Sequence, residues 1–487
     1  SPGSYVQWTA SEAANSIVLR ATIPDVGDNG NGTISVYVNG VKKTTLDVTS
    51  KYSWFYVDES YTDEQGYNSA LNNPSTTDNG GSPRHIYDEC HKLLDFTINA
   101  GDVVKLQKDA GDTCEYYGID FIELEKVDGP KPCPENFLDI TTYEGYNGNI
   151  TTGIYGFIQN WGNNKNKPEY QGLKGLYIPA GRYEMTSQIQ MYNVDVGFQI
   201  VGAGMWHTVL YTNNGGDSDW GAAGFNMNGH GTVFKDFAFF GASSSRTGSG
   251  KPFFNGYGDG TRFENIWIER FTCGEWVGGG SGITTNLATV NCRFRNTGAD
   301  GINYCNGTKN SVVENTHIRS TGDDGIAIWS APEMDGPSAD ISYPGCARNT
   351  VRNCRVEAPW RANCLAIYGG MDNTMTKITA RDSLTYAGIM VSSEFEPRPF
   401  TGTTTVEKIN FERCGGWMWG RRPFGAIWVR CYNNAKNPVK GINFKDINIT
   451  DAWTNGIVIT MERNNSIEDV VFENVNVNGF NGSYGIL

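Results

Sequence analysis

From about residue 137 onward the apolar positions fall into short recurring phrases, not helical stripes. Phe234-Lys-Asp236-Phe237, Phe263-Glu-Asn265-Ile266, Val313-Glu-Asn315-Thr316, Val351-Arg-Asn353-Cys354, Phe444-Lys-Asp446-Ile447 and Phe472-Glu-Asn474-Val475 share one form: apolar, variable, Asn or Asp, then small or apolar. Gly-Ile steps punctuate the same region at Gly301-Ile302, Gly325-Ile326, Gly456-Ile457 and Gly485-Ile486. The Asn/Asp anchors advance by 29 from Asp236 to Asn265, then 26 to Asn291, 24 to Asn315 and 38 to Asn353. A stack of helices would not tolerate that drift. A β-solenoid does, because insertions fall in its turns while the short strands keep register. Gly at bends and alternating β-branched and aromatic positions agree. The pattern predicts an all-β chain with a right-handed parallel β-helix over 137–487, its Asn/Asp anchors forming a ladder at one turn.

Residues 1–127 have a different texture. Ser16–Ile23, Gly32–Gly40, Asp102–Gln107 and Gly118–Glu125 alternate as strands, separated by Asn-Gly turns at Asn29-Gly30, Asn31-Gly32 and Asn39-Gly40. This predicts an antiparallel β-sandwich. The Pro-rich stretch 128–136 reads as a linker between the two.

Composition narrows the function classes. A net charge of −14 argues against nucleic acid and disfavours an acidic polymer as partner. No apolar run approaches the roughly 18 residues of a membrane span. The 60 glycines and 19% charged residues suit a turn-rich secreted protein. Ser1-Pro-Gly-Ser lacks the shape of a signal peptide, which reads as a mature or trimmed start. Eleven cysteines cannot all pair internally. Cys292, Cys354 and Cys414 each follow the anchor phase and are expected as buried apolar groups, with Cys90 and Cys114 as a disulfide.

The chemistry concentrates in two adjacent repeats. Asn291 is followed nine residues later by Asp300 and Gly301-Ile302, and Asn315 nine residues later by Asp324 and Gly325-Ile326, with Asp323 just before. Coils of a solenoid lie roughly 4.8 Å apart, so Asp300 and Asp324 stack and Asp323 is displaced by one residue. Carboxylates that close raise one another's pKa, leaving a proton available near neutral pH, as glycoside hydrolysis needs. A single Asp-Gly is an ordinary turn; three converging aspartates with no interleaved Lys or Arg make a costly scaffold. The segment 362–368 aligns with 323–329, so Asn363 continues the stack and Trp329 and Tyr368 share a phase as sugar platforms. Trp276, Tyr304 and Trp360 are further candidates, as are Trp417, Trp419 and Trp428, and Glu394 and Glu396 are candidate sugar-binding carboxylates. His317 reads as a strand residue and His230, in Gly229-His230-Gly231, as a turn residue.

The phrases Gly172–Thr186 and Gln199–Leu210 are similar to the opening coils of pectate-lyase-like β-helices. With the sandwich and the aspartate triplet, the chain resembles glycoside hydrolase family 87, the bacterial α-1,3-glucanases (mutanases) and mycodextranases. That resemblance implies a secreted, monomeric, endo-acting, inverting hydrolase of α-1,3-glucan that requires no cofactor. In it Asp323 is the acid, and Asp300 and Asp324 hold the attacking water. A dextranase- or mycodextranase-type α-glucanase, or a polysaccharide lyase using Arg319 or Arg361, is the alternative. The phrases at 14–20, 37–40 and 52–54 resemble galactose-binding-like, carbohydrate-binding modules, which implies a structural calcium ion in the sandwich.

Overall fold

The computed structural model describes the chain except residues 25–29, 53–54, 57–83, 86, 214–222, 244–249, 279–282, 332–344, 384, 419–421, 433–436 and 463–464. It divides into two compact units, Ser1–Gly129 and Pro130–Leu487.

The first unit is an antiparallel sandwich. One sheet runs in the order Tyr5–Thr9, Val103–Gln107, Asn31–Val38, Val41–Thr49, the other Asp88–Ile98, Ala14–Thr22, Gly118–Glu125. Alternation along Asn31–Val38 sends Ile34, Val36 and Val38 inward to meet Ile17, Leu19 and Leu106. Asn39 and Gly40, at φ 50° and 79°, form the tight turn into the next strand, the twist-matched hairpin geometry that Asn-Gly favours. The expected Cys90–Cys114 disulfide is absent: all eleven cysteines are thiols. Each of the two packs separately against the sandwich core. Cys114 Sγ sits so close to Gly32 that a Cβ there would lie 2.1 Å from it. Of the phrase at 52–54, Ser53 and Trp54 lie outside the described residues, as does Asn29 of the first Asn-Gly turn.

The second unit is a parallel β-helix. A 17-stranded sheet begins at Phe137–Asp139 and ends at Ile467–Phe480, and a seven-stranded sheet faces the cleft described below. The anchors have a backbone reason. Asp236, Asn265, Asn291, Asn315, Asn353, Asp446 and Asn474 all adopt φ between 50° and 62°, the left-handed conformation that Asn and Asp tolerate best among residues with a side chain. Their amides join as a ladder, Asn265 Nδ2 donating to Asp236 Oδ1 at 2.8 Å and Asn474 Nδ2 to Asp446 Oδ1 at 2.6 Å. Lys377 and Lys408 take the same bend in two coils, which the residue pattern could not show. Cys292 and Cys354 are buried one place past the anchors. Cys414 is buried too, but follows Arg413 at the next bend, since Glu412 pairs in register with Arg381.

Inside the coils aromatic rings repeat with the register: Phe234 on Phe263 at 5.6 Å, and Phe444 on Phe472 at 4.7 Å. The helix Ile150–Gln159, capped by Asn149 accepting from Thr152 N–H at 3.0 Å, buries Ile154, Phe157 and Ile158 in the same core and covers its first coils. Residues 130–136 are not an open tether: Lys131 pairs with Asp236 at 2.6 Å and its carbonyl accepts from Tyr177 Oη at 2.6 Å.

Candidate active site

The seven-stranded sheet decides which side chains meet. Ile302 pairs with Ile326, and Ile326 with Leu365. The residues two places earlier, Asp300, Asp324 and Asn363, therefore stack on consecutive coils. Gly301 N–H donates to the Asp324 carbonyl at 3.1 Å and Gly325 N–H to that of Asn363 at 2.9 Å. Glycine follows each aspartate because the coils touch there: a Cβ on Gly301 would lie 2.5 Å from Gly325 O, and one on Gly325 2.6 Å from Cys364 O.

Strand alternation builds the rest. Register aligns Trp276, Asn303, Ala327, Ala366, Met390 and Trp428 in one column. Large residues close the column at both ends, and two alanines leave space at its centre. Trp329 pairs with Tyr368 one step further along. The result is a cavity of about 360 Å³ lined by the three aspartates, Asn363, Trp276, Trp329, Tyr368, Trp428, Glu394, Phe395, Arg361 and neighbours.

Carboxylate oxygens of Asp300, Asp323 and Asp324 all lie within 4.8 Å of one another. Their settings differ. Asp300 and Asp324 are buried, whereas the Asp323 side chain is 26% exposed. Asp324 Oδ1 accepts from Asn363 N–H at 3.1 Å and Nδ2–H at 2.8 Å, and Oδ2 from Tyr368 Oη–H at 3.1 Å. Asn363 is itself held by Ala387 N–H at 3.0 Å. Burial, and then the charge of Asp323, outweigh these donors and push the Asp324 carboxyl up to about 7. Asp323 is bound to Arg361, Nη1 to Oδ2 at 2.7 Å, and accepts from Asp324 N–H at 3.2 Å. A guanidinium at that distance favours the ionised carboxylate. Burial and a neighbouring charge thus favour the protonated form of Asp324, and the Arg361 guanidinium favours the charged form of Asp323.

Of the residues expected to bind sugar, Asn363, Trp329, Tyr368, Trp276, Trp428 and Glu394 line this cavity. Three do not. Tyr304 is fully buried in the solenoid core, because Ile302 and Tyr304 point inward and Asn303 outward. Trp360 packs beneath Gly322, where a Cβ would lie 2.1 Å from its ring. Glu396 is exposed outside the lining. The burial of Trp417, and all of Trp419, lie outside the described residues. His317 lies in the strand His317–Arg319 of the larger sheet and is not part of the cavity. His230 follows the Asn228–Gly229 turn, its N–H donating to Met227 O. Missed from sequence were Asn303, Met390, Tyr386 and Phe395, with Arg361 weighed only as a lyase base. A signal existed for some. Asn303 and Met390 share the phase of Trp276, and Tyr386 that of Asp323 two coils on.

The comparisons cover the whole architecture. Residues 159–487 match the family described as alpha-1,3-glucanase catalytic domain D2, and residues 1–127 match domain D1. Among solved structures, the Agl-KA catalytic domain is 29% identical, with a TM-score of 0.83, covering 99% of this chain and 81% of that one. A substituted catalytic domain of a family 87 α-1,3-glucanase in complex with tetrasaccharides is 30% identical, with a TM-score of 0.81, covering 100% and 83%. A family 87 α-1,3-glucanase catalytic domain in complex with nigerose is 26% identical at a TM-score of 0.75, covering 100% and 90%. No curated protein matches. With both catalytic-domain families matched and the aspartate cleft formed by the second, this chain belongs to the α-1,3-glucanases of glycoside hydrolase family 87.

Proposed function

We propose that this α-1,3-glucanase cleaves within its polymer by inversion, with Asp323 as proton donor and Asp300 and Asp324 holding the attacking water. The unequal exposure of the three aspartates carries this reading: two are stacked and buried at the floor, and one reaches into the cleft. Inversion needs an acid on one side of the anomeric carbon and a base-held water on the other.

The proton account closes over one turnover. The free site holds its proton on Asp324, with Asp323 ionised against Arg361. Glucan binding excludes water and engages Arg361, and the proton passes from Asp324 to its neighbour Asp323. Asp323 then gives it to the glycosidic oxygen as the C–O bond breaks. The water attacks the anomeric carbon and loses its proton to Asp324, which restores the starting state. A second reading, with Asp324 as the direct donor, draws on its raised pKa. A cleft lined across successive coils, from Trp276 to Trp428, supports internal cleavage, and a polymeric substrate supports action outside the cell.

Asp323→Asn decides between the donors: general acid catalysis contributes roughly 100- to 10,000-fold, so reducing-end release should fall by that factor. Near-normal turnover would pass the role to Asp324. NMR of the anomer first released from a short α-1,3-oligosaccharide should show β; the α-anomer would rule out the water-site role of Asp300 and Asp324.

A further inference from the structure

Phe395 is the one exposed large apolar side chain among the described residues that line the cleft, at 55% exposure. It also carries a backbone conformation that suits glycine. Its φ is 66°, and that of the following Glu396 is 47°. Two consecutive non-glycine residues in the left-handed region persist only where the surroundings over-determine them.

The surroundings here are specific. On one side Glu394 is fixed by Arg430, Nη1 to Oε2 at 2.7 Å, and its N–H donates to Ser392 Oγ at 2.9 Å. Arg430 is buried, pairs with Glu462 at 2.9 Å and stacks on Trp428 at 4.8 Å and Tyr432 at 4.7 Å. On the other side Arg398 N–H donates to Ser330 O at 2.8 Å, and Pro399 O accepts from Gly370 N–H at 3.2 Å. The loop is thus tied down at both ends with its strained residue at the mouth. Phe395 meets Tyr368 edge-on, 5.4 Å between ring centres, and Tyr368 bonds Asp324. A packing role would bury the ring, and a simple turn would carry glycine.

We propose that Phe395 is a substrate-binding platform. Its ring stacks against the apolar face of a glucosyl unit beside the linkage cut at the aspartates, and the Glu394–Arg430 pair aims it. The ligand class is a neutral α-linked glucan, whose C–H faces pack on an aromatic ring while its hydroxyls stay solvated. This rests on the aspartate cleft being the glucan site.

The test uses Phe395→Gly and Phe395→Tyr, each in the whole chain and again combined with Asp323→Asn. Calorimetric titration with an α-1,3-linked tetrasaccharide reads binding apart from chemistry. Phe395→Gly should weaken binding about 10-fold, equivalent to about 1.4 kcal/mol and within the range of an aromatic contact. With Asp323 intact it should raise KM by about the same factor with kcat within about threefold. Phe395→Tyr should restore affinity. The melting temperature of Phe395→Gly should not fall, since glycine relieves the positive φ. Unchanged affinity, a fall in melting temperature accompanying the loss, or failure of Tyr to restore binding would each overturn the proposal. Failure of the aspartate assignment shows elsewhere, as turnover retained by Asp323→Asn.

Discussion

Glu357 and Asp324 are buried alike, at 3% and 4% exposure, on different sheets of one solenoid, yet their protons are driven in opposite directions. Glu357 is surrounded by Arg319 at 3.2 Å, Arg355 at 2.9 Å, Arg381 at 2.5 Å and His317 at 2.7 Å. These partners overcome its desolvation and hold it far below the usual carboxylate range. Asp324, buried, accepts from neutral donors, Asn363 and Tyr368, and faces Asp323, so burial and that charge raise its carboxyl to about 7. Burial alone therefore does not mark a catalytic acid. A carboxylate matched by cations stabilises the coil stack, whereas one left beside other carboxylates keeps a proton that can be moved.

The comparison breaks most sharply on substitution. Asp324→Asn should cut turnover roughly 100- to 10,000-fold without lowering the melting temperature, since it removes like-charge repulsion. Glu357→Gln should do the reverse, leaving turnover of the folded enzyme near normal while costing about 3–5 kcal/mol, because three arginines, the fully buried Arg319 among them, lose their charged partner. Denaturant melts measure the second effect. Equal loss of activity in both variants would remove the distinction.

The same cluster sets acid sensitivity. Glu357 is depressed, and burial followed by the charge of Arg295 lowers His317 to about 4. An unfolded chain binds a proton at His near pH 6.5, so it holds more protons than the native state between there and about 4. Stability should fall as pH drops through that window, and Glu357 extends the loss below it. A third buried acid, Glu275, behaves oppositely. Enclosed in the solenoid with Thr289 Oγ1 at 3.0 and 2.9 Å, it is pushed up to about 8 by burial. Its penalty is absent below the unfolded Glu value of about 4.3 and grows as pH rises toward 8. Glu275→Gln should therefore gain about 2–3 kcal/mol on the parent between pH 5 and pH 7, from roughly 1.4 kcal/mol per unit. A pH-independent difference in thermal melts would refute this.

Two smaller effects sharpen the account of Asp324. On the proposed one-proton cycle, kcat/KM should decline as pH rises through about 7. Tyr368→Phe removes a donor to the carboxylate and should move that limb upward by up to about one unit. Chelation should have the least effect. Arg361 offsets the charge of Asp323 and a proton that of Asp324, so EDTA is expected to leave turnover unchanged. Loss reversed by calcium would assign a cation to the three aspartates.

The sequence alone determined the coil phase. In a parallel solenoid each repeat lies directly above the last, so equal positions in two phrases become neighbours in space. That is why the repeat phase alone stacks Asp300, Asp324 and Asn363 and sets Trp329 on Tyr368. Only the tertiary structure decided the rest. Whether a residue enters core or cleft is a matter of odd and even places after the Asp-Gly bend, and that parity sent Tyr304 inward and Asn303 outward. Insertions between coils carry no period, so neither the Arg361–Asp323 pair, 38 residues apart, nor Phe395 on its strained loop could be placed. Proximity of carboxylates was legible because it follows from register; which of them keeps the proton was not, because that depends on the cations and donors that insertions bring to each one.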